Sequence, residues 1–252
     1  MTENTKGLIV GIANEHSIAW GCAMALRAAG AELAFTYLND KTKSFVEPLA
    51  VQAGVSIFLP LDVTKPEQET TLFAAVREKW GRLDFLLHSI AFAPKADLQG
   101  RVTDCSREGF MTAMDISCHS LIRLAKAAEA LMENGGSIVT MSYYGAEKVI
   151  GGYNLMGPVK AALEASVRYL AAELGPKHIR VNALSPGPVA TRAASGLSHF
   201  DALMERAAQN APLHQLVTIE QIGEAAAFLA SNKAKHITGQ IIYVDSGFNI
   251  RG

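Results

Sequence analysis

Short runs of β-branched and aromatic residues alternate along this chain with longer stretches whose apolar positions recur at three and four residues. The runs at Gly7–Ile12, Ala31–Tyr37, Ser56–Pro60, Leu83–His88, Ser137–Met141, Ile179–Leu184 and Gln240–Val244 predict strands. Between them, Ile18–Ala29, Thr42–Ala53, Pro66–Trp80, Arg107–Met132, Tyr153–Leu174 and Ile219–Ala230 have helical spacing. Parallel strands need crossovers, and right-handed crossovers put helices on both faces of the sheet. The pattern therefore predicts an α/β fold: a doubly wound, Rossmann-type sheet of about seven parallel strands. Gly30, Gly54 and Gly81 stand where helices would end, and Pro66 where a first helical turn tolerates it.

No fixed-period repeat or polar linker divides the sequence, so a single domain over residues 1–252 is expected. Two stretches resist assignment, 91–106 and 186–212, both following strand C-terminal ends. Loops of that length inside a compact domain are expected to be functional. In an open α/β sheet the ligand lies outside those ends. The 186–212 segment is expected to bind substrate and to order over it.

Composition narrows the class. Of 252 residues, 23 are Lys or Arg and 24 are Asp or Glu, a net charge of −1, so no overall field would gather nucleic acid or anionic lipid. The three cysteines, Cys22, Cys105 and Cys118, have no metal-ligand or disulfide spacing, and no metal is called for. Neither a long apolar leader nor a membrane-length apolar run stands in the sequence. A cytoplasmic enzyme is the expectation.

Candidate chemistry sits at the strand ends. Gly11 to Gly21 passes from the first strand into a helix whose N-terminus suits a phosphate, with Ser17 placed to cap it. The motif G-x-G-x-x-G is not present. Leu38 ends the second strand where an acidic side chain would hold a ribose diol, and Asp40, Lys41 and Lys43 follow, so NADH is favoured and NADPH stays open. Asp62 and Val63 end the third, where the carboxylate either accepts from an adenine amino group or caps the next helix. Tyr153 and Lys160 are seven residues apart; on one helix they would share a face, about two turns and roughly 10 Å apart. Tyr143, on the loop before them, would fold back toward Tyr153. A surface reading, with apolar stems packed and polar tips wet, is the bland alternative.

These residues, with His88-Ser89-Ile90-Ala91-Phe92-Ala93-Pro94, Arg180-Val181-Asn182-Ala183 and Ala193-Ala194-Ser195-Gly196, resemble the short-chain dehydrogenase/reductase family along essentially the whole chain. Within it, the Tyr153-x₆-Lys160 spacing and the second tyrosine, Tyr143, are similar to the divergent branch of bacterial enoyl-acyl-carrier-protein reductases. The resemblance implies NAD(P)H-dependent reduction of the trans-2 double bond of an enoyl thioester carried by acyl carrier protein, in fatty acid biosynthesis, by a homotetramer. It implies Tyr153 as donor to the thioester oxyanion, Lys160 at the nicotinamide ribose, and Tyr143 in the substrate pocket. Cofactor contacts would fall at Gly11, Ser17, Ile18, Leu38, Asp62, Val63, Ile90, Lys160 and the segment Val189, Ala190, Thr191, Arg192, Ala193. Ala93 would contact the acyl group.

Three departures stand out: Ala91 where glycine is usual, Pro186 and Arg192 where alanine and leucine are usual, and Ser198, Asp201 and Ala202 around Phe200 where basic residues often dock the carrier. Arg192 and Arg206 are the nearby basic alternatives. The small residues Gly157, Ala161 and Ala165 offer one helix face for subunit contact. Two further readings remain: a carbonyl or 3-oxoacyl reductase, against which Thr140 stands in place of a serine, and a non-catalytic dinucleotide-binding regulator.

Overall fold

The computed structural model describes residues 4–191 and 200–251. Seven parallel strands form one sheet: β1 (Lys6–Val10), β2 (Glu32–Tyr37), β3 (Ile57–Pro60), β4 (Phe85–His88), β5 (Gly136–Met141), β6 (Ile179–Pro186) and β7 (Ile241–Val244), in the order β3-β2-β1-β4-β5-β6-β7. The order reverses between β1 and β4, whose pairing runs from Gly7 opposite Phe85 to Val10 opposite His88. That reversal opens a crevice at the strand C-terminal ends.

Strand alternation divides the core. Leu8 and Val10 of β1 face one way and pack with α3 (Pro66–Trp80), α6 (Ser120–Glu129) and α7 (Met156–Leu174). Ile9 faces the other way, toward α1 (Ile18–Ala28), α2 (Asp40–Ala53) and α9 (Ile219–Ala230). Both faces being covered, the strands read as near-continuous apolar runs rather than alternating ones.

Each predicted strand and helix is present, and several bounds shift. The helix expected from Tyr153 begins at Met156, because Gly152 and Asn154 have φ of 80° and 40°, which a right-handed helix cannot contain. Tyr153 therefore sits in the turn ahead of α7, and the shared-face argument for it and Lys160 does not hold. The helix expected over 107–132 is α5 (Arg107–Met114), a π-helical turn at Asp115–His119, and α6 ending at Glu129. Within 91–106 lies only α4 (Lys95–Leu98) and a short 3₁₀ turn, and α8 (Phe200–Asn210) occupies the end of 186–212.

Gly21 takes a different role from the phosphate loop. A Cβ there would lie 2.2 Å from the Ile219 carbonyl oxygen, and one on Gly223 would lie 2.3 Å from the Gly21 carbonyl oxygen. The two glycines let α1 and α9 cross at backbone distance. Gly157 is half-buried, and a Cβ there would lie 3.2 Å from the Gly145 carbonyl oxygen.

Candidate active site

A cavity of about 800 Å³ opens at the strand ends. Its wall includes, from the predicted set, Gly11, Ser17 and Ile18 after β1, Leu38 after β2, Asp62 and Val63 after β3, and Ile90 and Ala93 after β4. Tyr143, Tyr153 and Lys160 close the side beyond β5, and Val189 and Thr191 the side beyond β6. Ala190 is exposed and outside this wall, and Arg192 and Ala193 lie outside the described residues. Ser89, Phe92, Ile116, Ser142 and Met156 also line it. Nothing in their residue types singles them out; only Ser89, Phe92 and Ser142 carry a signal, their places after strand ends.

At the β1 end, Gly11 has φ of 105° and a Cβ there would come within 2.0 Å of the Ser89 carbonyl oxygen, so only glycine lets the β1 and β4 exits approach. Ser17 is the N-cap of α1, but its hydroxyl does not cap the helix. Oγ instead accepts from the upstream amides of Ala13 and Asn14, both at 3.0 Å, which fixes the loop ahead of the helix; Trp20 N–H already donates to the Ser17 carbonyl oxygen at 2.9 Å, so the N–H groups of Ile18 and Ala19 are the ones left to the cavity side. Asp62 does not cap α3, whose N-cap is Lys65. Its Oδ1 accepts from the Thr64 amide at 3.0 Å and hydroxyl at 2.7 Å. The Asn39 side chain is taken up in a capping box with Thr42, so it serves α2 rather than a ribose.

At the β5 end the strand delivers Met141, Ser142 and Tyr143 in succession. Both Tyr153 and Lys160 are buried, 8% and 5% exposed, which rules out the surface reading of wet polar tips. Lys160 Nζ donates to the Met141 carbonyl oxygen at 2.6 Å. Burial pulls its pKa down to about 8. Burial pushes the Tyr143 phenol up to about 12 and the Tyr153 phenol higher still, so both are neutral donors at physiological pH. Tyr143 Oη is buried without a hydrogen-bond partner among the described residues. An unpaired buried hydroxyl costs about 1–3 kcal/mol, and a small turn of the phenol into the cavity would let a ligand oxygen satisfy it.

Beneath the pair lies Glu164, one helical turn past Lys160 and 5% exposed, accepting from Ser142 Oγ at 2.5 Å. Burial raises its pKa, against the Ser142 hydrogen bond. Sequence reading missed it, although a carboxylate four residues after Lys160 on a helix was a visible signal. Thr140 faces away from the cavity: its hydroxyl and that of Ser120 each lie 2.8 Å from a ring nitrogen of the buried His88. The Ser120 hydroxyl proton goes to the Ile116 carbonyl, so Ser120 accepts from His88 Nε2–H and Nδ1 accepts from Thr140. Burial, then the nearby Lys160 charge, pulls His88 down to about 3 and keeps it neutral.

A parallel sheet with its crevice at the switch point, a free helix N-terminus, and two phenols beside a buried ammonium define a Rossmann-type, dinucleotide-dependent oxidoreductase. Comparison with known proteins places it more narrowly. A family model described as enoyl-(acyl carrier protein) reductase matches residues 11–249. The chain is 51% identical to the enoyl-[acyl-carrier-protein] reductase [NADH] of Rickettsia felis, over all of this chain and 97% of that one. Among solved structures, the Anaplasma phagocytophilum reductase in complex with NAD is 48% identical with a TM-score of 0.95, over 99% of this chain and 95% of that one. The Aquifex aeolicus enoyl-[acyl-carrier-protein] reductase (NADH) is 47% identical with a TM-score of 0.95, over 99% and 98%. The chain belongs to the enoyl-acyl-carrier-protein reductase family.

Proposed function

We propose that this chain reduces the trans-2 double bond of an enoyl thioester on acyl carrier protein, with NADH, in fatty acid biosynthesis. The observation that carries this reading is the unpaired, buried Tyr143 hydroxyl beside Tyr153 and Lys160 in the cavity wall. When bound, NADH supplies the hydride. The residues present fit a dinucleotide: Gly11, Ser17 and Ile18 would hold the pyrophosphate at the start of α1, and Leu38, Asp62 and Val63 the adenosine. Ile90, Lys160, Val189 and Thr191 would hold the nicotinamide riboside. Leu38 is apolar and 50% exposed, so it offers no charge against NADPH, and NADH is the preferred rather than the exclusive donor.

Tyr153 donates a hydrogen bond to the thioester carbonyl oxygen, where negative charge develops as C3 is reduced. Tyr143 lines the acyl pocket with Ala93 and offers a second phenol to the same oxygen. Lys160, protonated below about pH 8, holds the ribose hydroxyls and keeps a positive charge near the forming enolate. A 3-oxoacyl reductase on this scaffold would need a hydroxyl at Thr140, and that hydroxyl is bonded to His88. The test is loss of nicotinamide absorbance with crotonyl or longer enoyl thioesters compared with 3-oxoacyl thioesters. Turnover of the oxo series alone would overturn the reading.

The same reading takes residues 1–252 as one reductase domain, with 186–212 binding substrate, and places it in the cytoplasm. No helix among the described residues is long and apolar enough to cross a membrane. Arg206, exposed on α8, is the described basic residue nearest in sequence to Phe200, where carrier docking is expected. Exposed Phe110, Met111, Ile122 and Tyr169 on α5, α6 and α7 support subunit contact, and we assign a homotetramer. Light scattering should give four times 26.9 kDa. A monomer mass at micromolar protein would refute that assignment.

A further inference from the structure

Arg123 of α6 stands outside the cavity wall, yet its guanidinium joins three elements around the adenosine end. Nη2 donates to the Val63 carbonyl oxygen at 2.5 Å, Nη1 to Asp115 Oδ1 of the π-helical turn at 2.6 Å, and Nε to Glu69 Oε1 of α3 at 3.2 Å. Its Nη1 also lies 2.9 Å from His119 Nδ1. A side chain 24% exposed with this many partners is held in one geometry by its planar fork.

The consequence passes through one peptide plane. In a trans peptide the carbonyl and the following N–H point in opposite directions. With the Val63 carbonyl fixed on Arg123, the Thr64 N–H is turned the other way, and there it meets Asp62 Oδ1 at 3.0 Å, joined by the Thr64 hydroxyl at 2.7 Å. Lys65 Nζ, 3.8 Å from Oδ2, is the other charge on that carboxylate. The orientation of Asp62 at the cavity wall thus depends on a guanidinium two links away. The same fork anchors Asp115, next to Ile116 in that wall.

We propose that Arg123 is a positioning residue for the adenosine end of the dinucleotide, setting NADH affinity through the Val63–Thr64 peptide and the Asp62 carboxylate without touching the cofactor. This rests on the reading of the cavity as an NADH site. Arg123→Lys and Arg123→Ala are titrated by fluorescence with NADH and with reduced nicotinamide mononucleotide, which has no adenosine. The expected outcome is a Kd for NADH raised about tenfold in both variants, since one ammonium cannot serve three acceptors in a plane. The mononucleotide Kd and kcat at saturating NADH should stay at wild-type values. Unchanged NADH affinity, or equal loss for both nucleotides, would overturn the proposal. Should Arg123→Ala not fold, Arg123→Lys, which keeps the charge, decides alone. A wild-type chain that binds neither nucleotide would instead overturn the underlying reading of the site.

Discussion

The rings of Tyr143 and Tyr153 meet edge to face, centroids 4.8 Å apart and planes at 63°, although one leaves β5 and the other precedes α7. Two phenols in contact, both neutral and both in the wall of one cavity, can serve a single ligand oxygen. Their contributions should then not be independent.

Tyr153→Phe is expected to lower turnover of enoyl thioester, with the roughly 10²–10³ loss typical of one oxyanion donor reduced by compensation from Tyr143. The double variant, Tyr143→Phe with Tyr153→Phe, should lose more than the product of the two single losses, because the fallback donor is gone as well. Steady-state kcat for the four proteins closes the cycle. Losses that simply multiply would show that the two hydroxyls act on different atoms.

Gly145 controls the same pair from behind. A Cβ there would lie 2.4 Å from Tyr153 Cδ1 and 2.7 Å from Cε1, so Gly145→Ala must push the Tyr153 ring. The expected result is a turnover loss like that of Tyr153→Phe with wild-type NADH affinity. Loss of cofactor binding in this variant would mean that the loop, not the ring, had moved.

What the sequence disclosed follows from the range of the forces involved. Alternation of strand and helix, the sheet's parallel sense and the ring of residues at the strand ends were legible because they rest on local periodicity and chain order. The start of α7 is not legible from periodicity, because the positive φ at Gly152 and Asn154 that stops the helix short of Tyr153 has only the glycine as its signal. The π-helical turn has no sequence period of its own and could not be seen. Gly21 was read as part of a phosphate loop because its partner, Gly223, arrives from the other end of the chain. Arg123 carries no signal in the sequence, since Glu69, Asp115 and Val63 gather around it only in the tertiary structure.

That helix crossing gives a stability prediction. Alanine in place of Gly223 gains about 1 kcal/mol of helix propensity. Its Cβ, however, would sit 2.3 Å from the Gly21 carbonyl oxygen and 2.7 Å from its carbon, and backbone cannot rotate away. Forcing α1 and α9 apart should cost more than the gain, with overpacking typically about 1–3 kcal/mol. Thermal unfolding of Gly223→Ala is expected at a lower Tm than wild type; a higher Tm would mean that the crossing has slack.

Burial holds Lys160 down at about 8 from an ordinary 10.5, so the ammonium that would bind the ribose is lost as pH rises through 8, and NADH affinity should fall on that limb. Stability should move the other way. Between about 8 and 10.5 the unfolded chain carries a proton on this lysine that the folded chain does not, so folding stability contributed by this group rises with pH across that window. The groups around Lys160 are Glu164 of α7, Cys118 of the π-helical turn, His88 of β4 and the two phenols. With His88 and the phenols neutral there, Cys118 and then the Glu164 carboxylate support the charged lysine. Glu164→Gln removes that support, so the alkaline limb of NADH affinity should shift to lower pH while the acid side keeps wild-type binding. Titrations of both proteins from neutral to alkaline pH measure the shift. If the two limbs coincide, Glu164 does not set the charge of Lys160, and its hydrogen bond from Ser142 serves the β5 exit alone.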